Sequence, residues 1–310
     1  MSRRRFLFSV AGAVLAERLM ADETPSDLKI TRAVGFVLPS RRSKVAGKNS
    51  RLDVHGDTAN DRMLRLYTNR GIEGIGNFRA NKNTVAKLLG KNPFEMKHLL
   101  GTGTMPVWDL LGKIKKVPAH RLLGNEGPKQ VPVYDGSIYF ADLLPQHSAN
   151  WQNRFREEID MGIKLGHRAF KIKIGRGSKW MKRDEGDRRD IEIVKLFRKH
   201  AGKDVLIGVD ANNGYDLSGA KQFLKEVGDR DIAFAEEMFP ETVEECLEFK
   251  QFIRENGWQT KLADGETQKE LDVYKPFIKA KAVDIFQGDM NRFGFEGILK
   301  EASWAMSRDS

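Results

Sequence analysis

Four acidic positions stand at or just past the ends of short apolar runs. Asp210 closes VLIGVD, Glu236 and Glu237 close IAFAEE, Glu266 closes KLADGE just after Asp264, and Asp289 closes VDIFQGD. Asp210, Glu236, Glu266 and Asp289 follow one another at intervals of 26, 30 and 23 residues. One strand–helix unit of an eight-fold parallel barrel takes roughly 31 residues. In such a barrel all strands end at one mouth, so carboxylates far apart in sequence would meet there. Carboxylates sharing a pocket repel one another and need a cation. A hard divalent ion such as Mg²⁺, which takes oxygen ligands, meets that need. Taken singly, Asp210 could cap a helix and the Glu pair could be solvated; in phase at strand ends they read as a metal site.

The elements that must carry these residues alternate from Gln130 onward. VPVYDGSIY reads as a strand, followed by Trp151–Leu165 helix, Ala169–Ile174 strand, Asp190–His200 helix and Val205–Val209 strand. Then come Leu217–Val227 helix, Ile232–Ala235 strand, Val243–Glu255 helix, Lys261–Ala263 strand, Leu271–Lys279 helix, Val283–Gln287 strand and Phe295–Met306 helix. Strand–helix alternation implies a parallel sheet. No Gly-x-Gly-x-x-Gly follows the first strand, which argues against dinucleotide binding. Six strands are counted, so the expected fold is α/β: an incomplete (β/α)8-type, TIM-like barrel over 130–310, two strands short at its C-terminal end.

Residues 29–129 read as a small α+β capping domain. ITRAVGFVLP and MLRLYTNRG-IEGIGNF form strands of an antiparallel meander, and Thr84–Leu89, Phe94–Leu100 and Val107–Lys116 form helices. The polar, basic stretch SRRSKVAGKNSRLDVHGD between the first two strands reads as a long mobile loop. Its Arg41–Lys48 portion could close over an anionic substrate.

The chain carries a formal charge of +10. Residues 1–50 hold ten Lys/Arg and four acids, +6 in all, leaving +4 for the rest. That distribution gives the folded body no phosphate-tracking groove and argues against nucleic-acid binding. The single Cys246 rules out an internal disulfide and reads as a small buried side chain. Residues 1–28 open with Arg3-Arg4-Arg5 ahead of an apolar run from Phe6 to Ala16, too short to span a bilayer. They resemble a twin-arginine export signal and its linker, which predicts a periplasmic location, or a cytoplasmic one where the signal does not function. No segment predicts stable membrane insertion.

A series of motifs resembles the enolase superfamily, in particular its mandelate racemase-like subgroup of racemases and acid-sugar dehydratases. VWDLLGKIKKVPAHRLLG lies in the small domain, and FKIKIGRG, GVDANNGYD, FAEEMFPE, LADGET and DIFQGDMNRFGFEGI follow on successive strands. The resemblance implies Mg²⁺ held by Asp210, Glu236 and Glu266, and Lys173, with Lys171 beside it, as general base. It casts Asp289 as the carboxylate that orients a histidine on the next strand. Asn212, Glu237 and Asp264 are expected to support the ligands. The implied reaction removes the proton next to the carboxylate of a small hydroxycarboxylate, giving dehydration or racemisation through an enediolate that the metal stabilises. Strand alternation puts Lys171 and Lys173 on one face, where mutual repulsion and the metal are expected to lower the pKa of Lys173. A homo-oligomer is compatible with the resemblance.

The chain departs from that pattern in places. The histidine's strand would lie past Ser310, and none of His55, His98, His120, His147, His167 and His200 sits in a matching motif. Met238-Phe239 precede Pro240 where Pro directly follows the Glu pair in the family, and Gly288 and Phe295 also depart from it. These departures leave open a truncated, catalytically inactive relative that keeps metal binding only.

Overall fold

The structure, a computed structural model, describes residues 25–79, 81–96, 104–124 and 130–307. The export signal expected over 1–28 lies, up to residue 24, outside the described residues. The chain divides into two compact units. The first comprises 1–40, 60–131 and 288–303; the second comprises 41–59, 132–287 and 304–310. Where the sequence set one boundary, at 129/130, chain contacts assign 41–59 to the barrel unit and 288–303 to the small one.

The first unit is built on a three-stranded sheet in the order β1 (Ile30–Ala46), β2 (Gly56–Thr68), β3 (Glu73–Asn77). β2 and β3 are antiparallel, with Leu66 opposite Gly74 and Leu64 opposite Gly76. After the short helices α1 (Lys82–Ala86) and α2 (Pro93–Met96) comes α3 (Met105–Lys115), which lies directly on β3. That approach needs glycine: a Cβ on Gly74 would stand 2.2 Å from the Pro106 carbonyl and 2.6 Å from Leu110 Cβ. Ile30, Leu64, Leu66, Val107, Trp108, Leu110 and Leu111 form the core there. A single turn, α4 (Ala119–Leu122), follows.

The second unit holds a six-stranded parallel sheet in sequential order: β4 (Asp135–Ile138), β5 (Ala169–Lys173), β6 (Leu206–Asp210), β7 (Ile232–Glu236), β8 (Lys261–Asp264) and β9 (Ile285–Phe286). The connecting helices are α5 (Trp151–Lys164), α6 (Arg183–Ala201), α7 (Leu217–Val227), α8 (Val243–Glu255) and α9 (Tyr274–Ala280). The last helix, α10 (Met290–Ser307), bends at Gly294. Local signals set these boundaries. Asp216 caps α7 by accepting from Gly219 N, and Thr242 and Glu245 form a reciprocal pair at the start of α8. Alternate strand residues, such as Phe170, Ile172, Ile207, Val209 and Ala235, enter a continuous apolar core with the helix faces. Six strands of a (β/α)8-type barrel are thus in place, and no helix among the described residues is long and apolar enough to cross a membrane.

Two expectations are corrected. The strand read over VPVYDGSIY is only four residues long, and Val131 and Val133 are exposed. Half of the long mobile loop is strand: β1 runs to Ala46 and β2 begins at Gly56. The turn between them is docked on the barrel unit through a Lys48–Phe140 bridge and a 2.6 Å bond from Trp180 Nε1 to the Asn49 carbonyl. Polar composition resembled a loop because both faces of this strand pair stay largely exposed.

Candidate metal centre

Strand register builds the site. Lys173 pairs with Asp210 across β5–β6, and Asp210 pairs with Glu236 across β6–β7, so three ionisable residues end their strands side by side. Neighbouring strands are about 4.8 Å apart, a separation one ion can bridge. Glu266 lies two residues beyond β8, after Gly265 at φ +121°. A side chain at Gly265 would also collide with Tyr274, its Cβ standing 2.7 Å from the ring. One carboxylate oxygen from each of Asp210, Glu236 and Glu266 lies within 4.8 Å of the other two. Asp210 and Glu236 are buried and Glu266 is exposed, as suits a centre open to solvent on one side.

The lysines occupy the same pocket. Lys171 Nζ lies 2.7 Å from Glu236 Oε1 and 2.9 Å from Asp210 Oδ2. Lys173 Nζ donates to Asp210 Oδ2 and, at 2.9 Å, to Asn212 Oδ1. Burial works against the charge on Lys171, but Asp210 and Glu236 outweigh it and hold its pKa above the usual lysine range. At Asp210 burial opposes ionisation, and Lys173 and Lys171 reverse that, lowering its pKa. At Glu236 burial and then Asp210 dominate, and Lys171 only partly offsets them, so it is pushed up to about 7. Glu236 thus remains short of positive charge even with Lys171 beside it. An all-oxygen set of three carboxylates fits a hard divalent cation.

The supporting residues each make defined contacts. Asn212 links Lys173 and the carboxylates: its N–H donates to Asp210 Oδ1 at 2.9 Å and its Nδ2 to Glu237 Oε2 at 3.0 Å. Glu237, at φ +41°, is fully buried, and its Oε1 has no partner among the described residues. Asp264 accepts from Gly265 N at 2.6 Å; burial, Glu241 and Glu237 push it up to about 8. Asp289 groups with the first unit, where its carboxylate lies 3.6 Å from Arg79 and accepts from Asn291 N at the start of α10. Among the described residues, the oxygen cluster comprises Asp210, Glu236 and Glu266 without it.

Two contributors escaped the sequence reading. Gln287, the last residue of the VDIFQ run, donates from Nε2 to Glu236 Oε2 at 3.0 Å. Arg176 is fully buried, bonded to Asp142 at 2.7–3.2 Å, to Asp190 at 2.5 Å and to the Lys173 carbonyl at 3.3 Å. Asp190 also accepts from Gly175 N, Arg176 N and the Tyr215 hydroxyl. The turn that leaves β5 is therefore fixed by a buried ionic network.

Residues 154–309 match the family described as Enolase C-terminal domain-like. The chain is 28% identical over 184 residues to arabinonate dehydratase of Saccharolobus solfataricus, spanning 59% of this chain and 44% of that one. It is 24% identical over 268 residues to D-xylonate dehydratase of Haloferax volcanii, spanning 75% and 62%. Cycloisomerases, a racemase and an epimerase are also among its relatives. The chain spans about half the length of the curated relatives it matches. The crystal structure of a galacturonate dehydratase variant from Geobacillus sp., complexed with Mg, aligns with a TM-score of 0.82 and 27% identity over 93% of this chain and 78% of that one. One family thus accounts for half the residues, and a Mg-bound dehydratase shares the fold almost end to end; the chain belongs to the enolase C-terminal domain-like family, of the mandelate racemase type.

Proposed function

We propose that the chain abstracts the α-proton of a small hydroxycarboxylate, an acid sugar, in a Mg²⁺-dependent dehydration or racemisation. The observation that carries this reading is the convergence of the Asp210, Glu236 and Glu266 oxygens to within 4.8 Å of one another, beside two lysines on the adjoining strand. When bound, Mg²⁺ supplies the positive charge that steadies the substrate carboxylate as the neighbouring carbon loses its proton. Asp210, Glu236 and Glu266 hold that ion. Lys173 takes the proton at Nζ, its position fixed by Asn212 and by the backbone carbonyl bond to Arg176. Lys171, held charged between Asp210 and Glu236, favours the ionised form of both carboxylates. Acid-sugar dehydratases among the relatives favour dehydration over racemisation.

A catalytically silent chain that binds the ion is the second reading. It draws on a sheet of six strands, with β4 and β9 at its edges. One assay separates the two. In D₂O with Mg²⁺, a panel of aldonic and aldaric acids is followed by NMR for α-deuteration and by chromatography for keto-acid product. The first reading expects exchange or product with the unaltered chain and a loss of about 10²–10⁴-fold in Lys173→Ala. Mg²⁺ binding with no exchange in any acid would favour the second.

A further inference from the structure

We infer that Gln287 is a positioning residue for the metal: its side-chain amide holds the Glu236 carboxylate in place for Mg²⁺. This inference rests on the proposed Mg²⁺ centre of Asp210, Glu236 and Glu266. Gln287 lies one residue past β9. Phe286 meets the Tyr274 ring of α9 edge-on at 5.9 Å, so strand alternation turns Gln287 to the opposite face of the sheet, the face that carries Glu236. Its backbone N–H donates to the Asp264 carbonyl at 2.9 Å, which anchors it to the end of β8. β8 lies between β7 and β9, so the amide reaches past an intervening strand, roughly 10 Å at the backbone, to donate to Glu236 Oε2 at 3.0 Å. Lys171 does the same from the other side, past β6, to Glu236 Oε1 at 2.7 Å.

Two donors, one on each oxygen and from opposite sides, fix the plane of the Glu236 carboxylate as well as its place. Each oxygen keeps a further lone pair for an ion. Burial and Asp210 push Glu236 up to about 7, and Lys171 and Gln287 both favour its ionised form, the one that can ligate. Stability alone does not account for an amide here. Gln287 Oε1 is buried and has no partner among the described residues, so the amide carries a desolvation penalty that an apolar side chain of equal length avoids. What the amide adds is the Nε2 bond to Glu236. Residues that hold a metal's ligands in this way typically contribute about 10–100-fold to metal affinity.

The test is calorimetric titration of the full chain with Mg²⁺, paired with electron paramagnetic resonance of bound Mn²⁺, in the unaltered chain, Gln287→Met and Gln287→Asn. Met keeps the length and loses the donor; Asn keeps the amide but is one methylene too short to reach past β8. Neither change touches the backbone bond to Asp264. Both variants are expected to bind Mg²⁺ about tenfold or more weakly and to change the zero-field splitting of Mn²⁺ at saturation. The urea midpoint of Gln287→Met without added metal is expected to stay where it is in the unaltered chain. Full Mg²⁺ affinity in either variant would overturn the inference. So would a lowered urea midpoint with an unaltered Mn²⁺ spectrum, because Gln287 would then serve the fold alone. Absence of Mg²⁺ binding by the unaltered chain would instead remove the proposed reaction, and this inference with it.

Discussion

Lys171 and Lys173 share one strand face, yet their surroundings give them different work. Lys171 is clasped by two carboxylates and is a fixed positive charge. Lys173 contacts one carboxylate and the Asn212 amide, and it stands at the end of its strand. Cys246 is the opposite case, a reactive atom kept inert: it is buried on α8, and burial followed by the nearby Asp264 and Glu241 pushes its thiol up to about 12. At pH 8 a maleimide is expected to label the folded chain about a thousandfold more slowly than the denatured chain, and comparable rates would contradict that burial. The folded-state value lies above the ordinary one of 9.0, so the neutral thiol is the form the fold favours. Its contribution to stability is complete below about pH 9 and is lost as pH rises from there toward 12. The carboxylates were legible because each ends an apolar run. Arg176 was not, because an arginine between two glycines reads as a surface turn, and its partners Asp142 and Asp190 lie 34 and 14 residues away.

At the scale of elements, strand ends in register turn distant residues into neighbours. Periodicity placed α7 and α8 to the residue and found all six barrel strands, because each alternates a core-facing and a pocket-facing side. It failed where that contrast is absent. The β1–β2 extension is exposed on both faces, and β4 is preceded by exposed Val131 and Val133. It could not see the support beneath β5 either. Asp142→Ala would leave the wholly buried Arg176 guanidinium with Asp190 as its only carboxylate partner among the described residues, at an expected cost of about 3–5 kcal/mol in a urea melt. A cost below about 1 kcal/mol would show that this network does not hold the turn after Lys173. A parallel Asp109→Ala change, at a half-exposed pair with Lys113, is expected to cost much less.

Across the whole molecule, two compact units form from interleaved segments, which a single sequence boundary could not capture. The +10 charge misleads as a whole: six of those charges belong to residues 1–50. Chemistry in the barrel unit depends on one claim, that Asp210, Glu236 and Glu266 together hold a single divalent ion. Titration of the full chain with Mn²⁺, followed by electron paramagnetic resonance and then displaced with Mg²⁺, tests it most directly. The account predicts one site per chain, lost or weakened by about 10-fold or more in each of Asp210→Asn, Glu236→Gln and Glu266→Gln. Binding that persists unchanged in all three variants, or no binding to the folded chain at all, would contradict it.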